Sequence, residues 1–214
     1  ERRNTVLDQM AKYGYLDKTV CDSIKKIPIK LNYVSPDHNE GVATYFREHL
    51  RLELLKWCKE NKKPNGENYN LYKDGLKIYT SINYKMQVYA EAAVQKHMAE
   101  LQQQFYQSYK GSAPWGKDET FIKNAMKQCD RYYRLKQAHA SDDSIMKSFN
   151  TPTAMTVFSY RGDIDTVMTP YDSIKYYKYF LHTGFMVTNP HTGEVLAWVG
   201  GVNHHYFQYD HVNI

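Results

Sequence analysis

The chain has 214 residues, enough for one large domain or two small ones around a buried core. Its 28 basic and 23 acidic residues give a formal net charge of +5, and they are interspersed rather than grouped in a basic stripe, which disfavours nucleic-acid binding. No apolar run approaches the roughly 18–20 residues of a membrane-spanning helix, and three widely spaced cysteines without CxxC disfavour a zinc knuckle or redox pair, although one disulfide among Cys21, Cys58 and Cys129 stays open.

The first thirty residues predict two short helices. Apolar residues three or four apart form the first helix, which ends at Gly14, a residue that tolerates positive φ. Asp17 is a suitable N-cap for the second helix, and Pro28 stops it. The stretch 33–41 contains Pro, Asp, Asn and Gly, which is typical of a loop.

The next stretch predicts a helix, a strand and a long helix. The first helix extends from Thr44 to Glu60 and is followed by a polar linker at 61–69. Apolar and polar residues alternate from Leu76 to Ile82, which predicts a strand. From Tyr84 to about Tyr109, a helix of some 25 residues would be on the order of 37 Å long. The helical pattern is carried by side chains spaced by four residues: Tyr89, Ala93, His97, Leu101, Phe105 and Tyr109.

Shorter elements are predicted in the second half of the chain. One helix extends from Glu119 to Ala138, and another from a Ser141 cap to Phe149. The pattern from Ala154 to Met168 predicts a β-hairpin. Thr169, followed by Pro and an acidic residue, opens a helix over 171–182.

A second hairpin is predicted near the C-terminal end. Residues 185–188 and 194–199 flank a turn in which Gly193 supplies the positive φ that the turn needs. Because helices alternate with local hairpins, and not with single strands of a wound parallel sheet, we predict a helix-rich α+β fold with two or more antiparallel hairpins.

Several separated stretches carry motifs. Residues 2–10 have the sequence RRNTVLDQM, 41–55 contain Tyr-Phe and Glu-Leu pairs, 75–94 begin with GLKIYTSI, and 189–201 have the sequence NPHTGEVLAWVGG. In this order they resemble the class A, bifunctional penicillin-binding proteins. The last stretch is similar to the family signature DP-x-TGE-x-LA-x-VGG, with Asn189 at the position of its Asp.

The resemblance implies a domain organisation. Residues 1–32 would be the C-terminal helices of a glycosyltransferase domain, and 33–100 the connecting helix, strand and long helix that lead into the transpeptidase region. Residues 101–182 would be an inserted linker domain, and 183–214 the truncated first hairpin of the transpeptidase domain. We therefore expect an internal, soluble segment of a longer chain, whose membrane anchor lies outside it and which works on the periplasmic face of the bacterial inner membrane.

The resemblance also implies where the catalytic groups of the parent lie. The glycosyltransferase glutamates would precede Arg2, and the transpeptidase serine, in an S-x-x-K motif whose lysine tunes it, would follow Ile214. Ser23–Lys26 and Ser144–Lys147 match S-x-x-K, but the family's K-T-G motif does not occur, so we regard both as chance matches. We predict no catalytic residue, no cofactor and no metal in this segment, whose role would be to hold two catalytic domains apart.

One set of aromatic residues is a candidate contact surface: Trp115, Tyr176, Tyr177 and Tyr179. Tyr and Trp combine apolar area with a polar group and are enriched at interfaces, so these rings are candidates for contact with a saccharide or a protein partner. The expected partners are the neighbouring catalytic domains of the parent chain, with peptidoglycan or an activator protein as further candidates, and no nucleic acid. The alternative function is a regulatory binding module, which one contiguous exposed aromatic patch within 101–179 would favour.

Histidines near the C-terminal end are a weaker candidate. His204, His205 and His211 lie close in sequence to Asp210, and these residue types bind zinc. Adjacent histidines rarely face one ion together, so we favour a solvated loop. Turn and cap roles similarly account for Asp163 and Asp172 better than the paired acids of a glycosidase do, and Asp165 has no evident partner.

Overall fold

The computed structural model describes residues 2–28 and 40–213. The chain divides into two compact units, the first within residues 1–37 and the second within 38–214, and each is described by itself. The loop predicted at 33–41 lies almost entirely outside the described residues.

The first unit contains two short helices, as predicted. They are α1 (Arg2–Lys12) and α2 (Lys18–Lys26). Gly14 has a φ of +77° between them, and the carboxylate of Asp17 caps α2 by accepting from the Thr19 N–H at 2.8 Å.

The Arg3 side chain holds the two helices together. Its guanidinium donates to the carbonyls of Lys25 at 2.9 Å and Ile27 at 2.7 Å, at the end of α2 where carbonyls lack intrahelical partners. Cys21 of α2 is buried, with 1% of its surface exposed.

The described part of the second unit contains six helices and four strands. The helices are α3 (Thr44–Glu60), α4 (Tyr84–Ser108), α5 (Thr120–Lys127), α6 (Asp130–Gln137), α7 (Asp142–Asn150) and α8 (Pro170–Lys178). The strands are β1 (Thr153–Val157), β2 (Ile164–Met168), β3 (Phe185–Thr188) and β4 (Val195–Val199). The predicted α+β fold is confirmed.

The strands form two separate antiparallel hairpins, both of them predicted. In the first, β1 pairs with β2 around a turn in which Gly162 has a φ of +108°. In the second, β3 pairs with β4 around Gly193 at +75°, and the register shifts between Val187 and Thr188. The positive φ of both glycines explains why these turns close so tightly.

The predicted strand at Leu76–Ile82 is wrong, because this extended segment pairs with no strand among the described residues. It approaches β4 only at its end, where Ser81 Oγ donates to the Val195 carbonyl at 2.7 Å and the Asn83 N–H donates to the Leu196 carbonyl at 2.8 Å. Alternation of apolar side chains indicates an extended backbone, but it does not supply the partner that a ladder requires.

The predicted helix at Glu119–Ala138 is two helices, α5 and α6. The chain turns at Cys129, whose ψ of 152° is extended. The turn lets both helices face one cluster built on Met126, Ile145 and Phe149, which a single straight helix over this span does not allow. The helix predicted over 171–182 also ends earlier, at Lys178.

The long helix predicted from Tyr84 is α4, but the residues whose spacing indicated it are not the ones that it buries. Tyr89 is 72% exposed, and the residues that α4 buries are instead Gln87, Ala90, Met98 and Gln102. Both sets have helical spacing, but the second brings small and amide side chains against the rest of the unit. The covered side of α4 is therefore decided by apolar packing of Ala90 and Met98 together with hydrogen bonds of the two glutamines.

Two further core clusters of the second unit lie along the covered face of α4. At one end Ala90 packs with Ala197 and Val199 of β4. At the other end Met98 packs with an aromatic-rich cluster: Phe158, Phe180, Val202 and Phe207. No helix within the described residues combines the length and the apolar character needed to cross a bilayer.

Candidate functional site

The side chain of Gln87 joins the start of α4 to β4. It is fully buried, and its Nε2 donates to the Trp198 carbonyl at 2.8 Å while its Oε1 accepts from the Trp198 N–H at 2.7 Å. One amide thus satisfies both backbone groups of a half-buried strand residue. The same Nε2 donates to Glu91 at 2.8 Å, and this carboxylate accepts from the Ala43 N–H at 2.7 Å, at the start of α3.

Gln102 makes an equivalent pair of bonds further along α4. It is 2% exposed, and its Nε2 donates to the Tyr179 carbonyl at 2.8 Å while its Oε1 accepts from the Leu181 N–H at 2.8 Å. Tyr179 is the C-cap of α8, where backbone carbonyls lack intrahelical partners. Gln102 therefore fixes the end of α8 on α4.

These two glutamines make α4 a spine for the second unit. They lie about 15 residues, or about 22 Å, apart along one helix. Each uses both atoms of its amide on a different piece of the chain, Gln87 on the β3–β4 hairpin and Gln102 on the end of α8. The sequence offered no signal for these contacts, since a Gln on a helix is usually solvated.

Tyr45 of α3 anchors the loop that follows β4. It is 5% exposed and its hydroxyl donates to the Phe207 carbonyl at 2.6 Å. Burial raises the pKa of Tyr45 above its usual range. Gly200 and Gly201 make room for this ring, because a Cβ at Gly201 would overlap the Tyr45 hydroxyl. The two glycines of the predicted signature are therefore explained by close packing.

Asp210 closes the same loop onto Trp198. Its Oδ2 accepts from Trp198 Nε1 at 2.8 Å and its Oδ1 from the Val212 N–H at 2.9 Å. The indole ring also stacks on His49 of α3, with ring centroids 5.0 Å apart. Trp198 therefore packs inside this part of the structure and does not form an exposed platform.

The four predicted contact residues lie in two places. Tyr176 and Tyr177 pack against the aromatic-rich cluster, and both hydroxyls bond to the backbone of Phe158, at 2.7 and 3.3 Å. Burial raises the pKa of both tyrosines. The rings of Trp115 and Tyr179 meet edge to face at 4.8 Å, and all four residues are half-buried. Their contact with a saccharide or partner stays a prediction.

A cleft of about 640 Å³ lies beside Tyr179, between α4, α8 and the turn of the first hairpin. Its lining includes four tyrosines, an amide and a guanidinium: Tyr106, Tyr160, Tyr176, Tyr179, Gln103 and Arg161. Burial raises the pKa of Tyr106 and of Tyr160 to about 12. The sequence indicated only part of this wall, because the remaining residues come from elements far apart in the chain.

The candidate acids and histidines are used structurally. Asp163 accepts from the Tyr206 hydroxyl at 2.6 Å, and Asp165, for which no partner was expected, accepts from Thr156 at 2.6 Å. His204 is buried edge to face against Tyr45 at 4.9 Å. Across residues 2–28 and 40–213, no three His, Cys, Asp or Glu side chains come together as a metal site, and the three cysteines are free thiols.

The short serine motifs also have structural roles. Ser23 donates to the Thr19 carbonyl at 2.9 Å, and Ser144 lies 3.0 Å from the Ser141 hydroxyl at the start of α7. Within the described residues neither serine bonds to the lysine three positions on. Two Ser-x-Asn sequences, 81–83 and 148–150, resemble a further motif of serine transpeptidases, but Asn83 caps α4 and Ser148 accepts from Arg131.

The comparisons with known proteins agree with the predicted resemblance. Residues 110–181 match the model of the penicillin-binding protein middle domain. Penicillin-binding protein 1A of Haemophilus influenzae is 32% identical over 120 residues, which cover 56% of this chain and 13% of that protein. The Escherichia coli protein of the same name is 31% identical over 112 residues, which cover 52% of this chain and 12% of that protein. Penicillin-binding protein 1A of Rickettsia typhi is 23% identical over 234 aligned positions, which cover 99% of this chain and 28% of that protein.

Residues 110–181 are thus similar to the middle domain of the penicillin-binding proteins. More particularly, the chain is similar to penicillin-binding protein 1A, in agreement with the family resemblance that the motifs predicted. It spans 13%, 12% and 28% of the length of the three relatives above. No solved structure gives a significant match.

Proposed function

We propose that this chain is a non-catalytic interdomain segment of a bifunctional peptidoglycan synthase, located at the periplasmic face of the membrane. Its role is to hold the glycosyltransferase and transpeptidase domains at a fixed separation and orientation. The observation that carries the proposal is the α4 spine, in which Gln87 and Gln102 fix two different pieces of the second unit on one helix.

The contacts support a spacer because they are backbone-directed. An amide that pairs with both groups of one strand residue holds its position and its rotation together. Tyr45 and Asp210 then fix the loop after β4, through Phe207 and Trp198. The orientation of a domain that followed this loop would therefore be set by α3 and α4.

The environment of the serines supports the absence of catalysis in this segment. A transpeptidase serine needs a neighbouring base to activate it. Ser23 and Ser144 are exposed and bond to their own helices. Labelled penicillin should accordingly leave the chain unmodified under conditions that label the intact Escherichia coli penicillin-binding protein 1A. Labelling that disappears on Ser144→Ala or Ser23→Ala would disprove this part of the proposal.

The spacer role predicts one well-defined distance between the β3–β4 hairpin and α7. Spin labels at Thr192, in the turn of the β3–β4 hairpin, and at Asp143, on α7, should give a single narrow distance distribution when the native cysteines are replaced by Ala. Gln102→Leu should broaden it, because the end of α8 loses its attachment, whereas Gln104→Leu on the exposed side of α4 should not. A broad distance distribution in the spin-labelled chain that retains Gln102 would contradict a rigid spacer.

A further inference from the structure

We infer that the extended segment 76–82 is a strand-addition edge that pairs antiparallel with the same segment of a second copy of this chain. The segment is extended without a bend, yet it has no ladder partner within residues 2–28 and 40–213. From Lys77 to Thr80, no backbone N–H or carbonyl bonds to another described residue. An unpaired extended backbone of this kind is a template for a further strand.

An apolar groove lies beside the segment and gives an added strand a surface to cover. Its volume is about 630 Å³, and it lies between α3 and alternate side chains of the segment. The apolar lining comes from both elements: Phe46, Leu50 and Leu54 of α3, with Ile78 and Ile82 of the segment. Ile78 is 44% exposed in one copy, so an added strand would remove apolar surface from water.

The position of Asn83 decides which residues offer backbone groups to an added strand. The Asn83 N–H donates to the Leu196 carbonyl of β4 at 2.8 Å. Successive residues of an extended chain direct their N–H and carbonyl groups to alternating edges, so those of Tyr79 face the same edge as Asn83. The groups of Ile78 and Thr80 face the opposite edge, which no strand occupies among the described residues.

The segment is complementary to itself in one antiparallel register, which selects a second copy as its partner. With Tyr79 opposite Tyr79 of the second copy, Ile78 lies opposite Thr80, and these two residues exchange both hydrogen bonds. Ile and Thr are β-branched and suit a half-buried strand. The remaining pairs join apolar with apolar and avoid like charges. They are Leu76 with Ile82 and Lys77 with Ser81.

The exposure of Tyr79 fits this register. Its side chain is 88% exposed, whereas its neighbours Ile78 and Thr80 line the groove. Two directly opposite residues have Cβ atoms about 4.5–5.5 Å apart, and aromatic pairs at this distance stabilise a sheet. A strand of another protein would use the same backbone groups without this match of side chains.

The test replaces Tyr79 with Cys in a chain whose native cysteines are replaced by Ala. Directly opposite cysteines lie within the Cα separation that a disulfide accepts, so mild oxidation should link two copies. Lys77→Cys is the matched control, because the two copies of this position lie four residues out of register, about 13 Å apart, too far for a disulfide. Lys77→Cys and Ser81→Cys chains should cross-link with each other when mixed, since these positions are paired.

Association without a cross-link is measured by sedimentation velocity of the unmodified 214-residue chain over a range of concentrations. Thr80→Pro removes an N–H at the pairing edge and should weaken the dimer by about tenfold or more. Lys77→Pro places the same ring where the N–H faces the other edge, so it should change association much less. Circular dichroism establishes that each variant is folded, and the exposed position of Tyr79 makes its Cys variant the one least able to disturb the fold.

Three outcomes would overturn the inference. They are a chain that stays monomeric at every concentration, a dimer insensitive to Thr80→Pro, and cross-linking of Lys77→Cys chains as efficient as that of Tyr79→Cys chains. The proposed spacer role is judged separately, since penicillin labelling and the effect of Gln102→Leu do not depend on a dimer.

Discussion

Gln87 pairs with both backbone hydrogen-bonding groups of Trp198, a residue 111 positions later in the chain. This relationship fixes the position of β4 along α4. After a shift of one residue, the Gln87 amide would face a residue whose N–H and carbonyl point to the other edge of the strand. Since Gly200 and Gly201 follow directly, it also sets where the close packing against Tyr45 occurs.

Replacing Gln87 with Leu should destabilise the second unit by about 2–4 kcal/mol, because both groups of Trp198 lose their partner in a buried site. All three tryptophans lie in this unit, so urea unfolding followed by tryptophan fluorescence reports on it. Gln104→Leu, at an exposed position of α4, is the control and should change the unfolding free energy by less than about 0.5 kcal/mol. Equal effects of the two substitutions would show that the pairing is unimportant.

Replacing Gln102 with Leu should have a local effect. The Leu181 N–H loses its acceptor, and the Tyr179 carbonyl at the end of α8 loses its donor. Amide hydrogen exchange at Leu181 should therefore accelerate by about tenfold or more. Exchange in β4 should change much less, because Gln87 still holds the hairpin. Uniform acceleration over both regions would instead mean that the whole unit is destabilised.

Gly201→Ala should destabilise the second unit by about 1–3 kcal/mol, because the new methyl group overlaps the hydroxyl of Tyr45. The cost should be smaller in a Tyr45→Phe background, which lacks that hydroxyl but also lacks the bond to Phe207. A double-mutant cycle measured by urea unfolding gives this coupling. Additive effects of the two substitutions would contradict the proposed contact.

The pH dependence of stability should include a contribution from His182. Although part of this residue is exposed, its ring packs against Phe207 and stacks on His211, and burial, then the charges of His211 and Lys178, lower the pKa of its imidazole. The unfolded chain therefore binds a proton first as pH falls below about 6.5, and stability decreases from there through the folded pKa. His182→Gln should lose less stability than the parent between pH 7 and pH 5. An identical loss in both proteins would exclude this contribution.

Local sequence chemistry predicted most element types and several ends. Asp17, Ser141 and Thr169 cap α2, α7 and α8 as expected, because a cap depends on residues within three positions. Both hairpins were predicted for the same reason, since their turns contain a glycine that adopts positive φ. The resemblance to the penicillin-binding proteins likewise came from contiguous motifs.

The candidate site was less accessible to sequence reasoning. Tyr176, Tyr177, Tyr179 and Trp115 stood out as aromatic residues, but nothing local showed that Phe158 takes up two of their hydroxyls. Tyr106, more than fifty residues before them, joins Tyr179 at the cleft only after α4 and α8 have packed.

The sequence by itself determined the α+β class, the caps, the two hairpins and the family resemblance, because each depends on short-range geometry or on a contiguous motif. Only the tertiary structure decided which face of α4 is covered, that Leu76–Ile82 finds no strand partner, and that α5 and α6 are separate. The physical reason is that these outcomes depend on contacts between distant residues, which no local pattern encodes. Examples are the hydrogen bonds of Gln87 with Trp198 and of Gln102 with Leu181, and the packing of Met126 with Ile145 and Phe149.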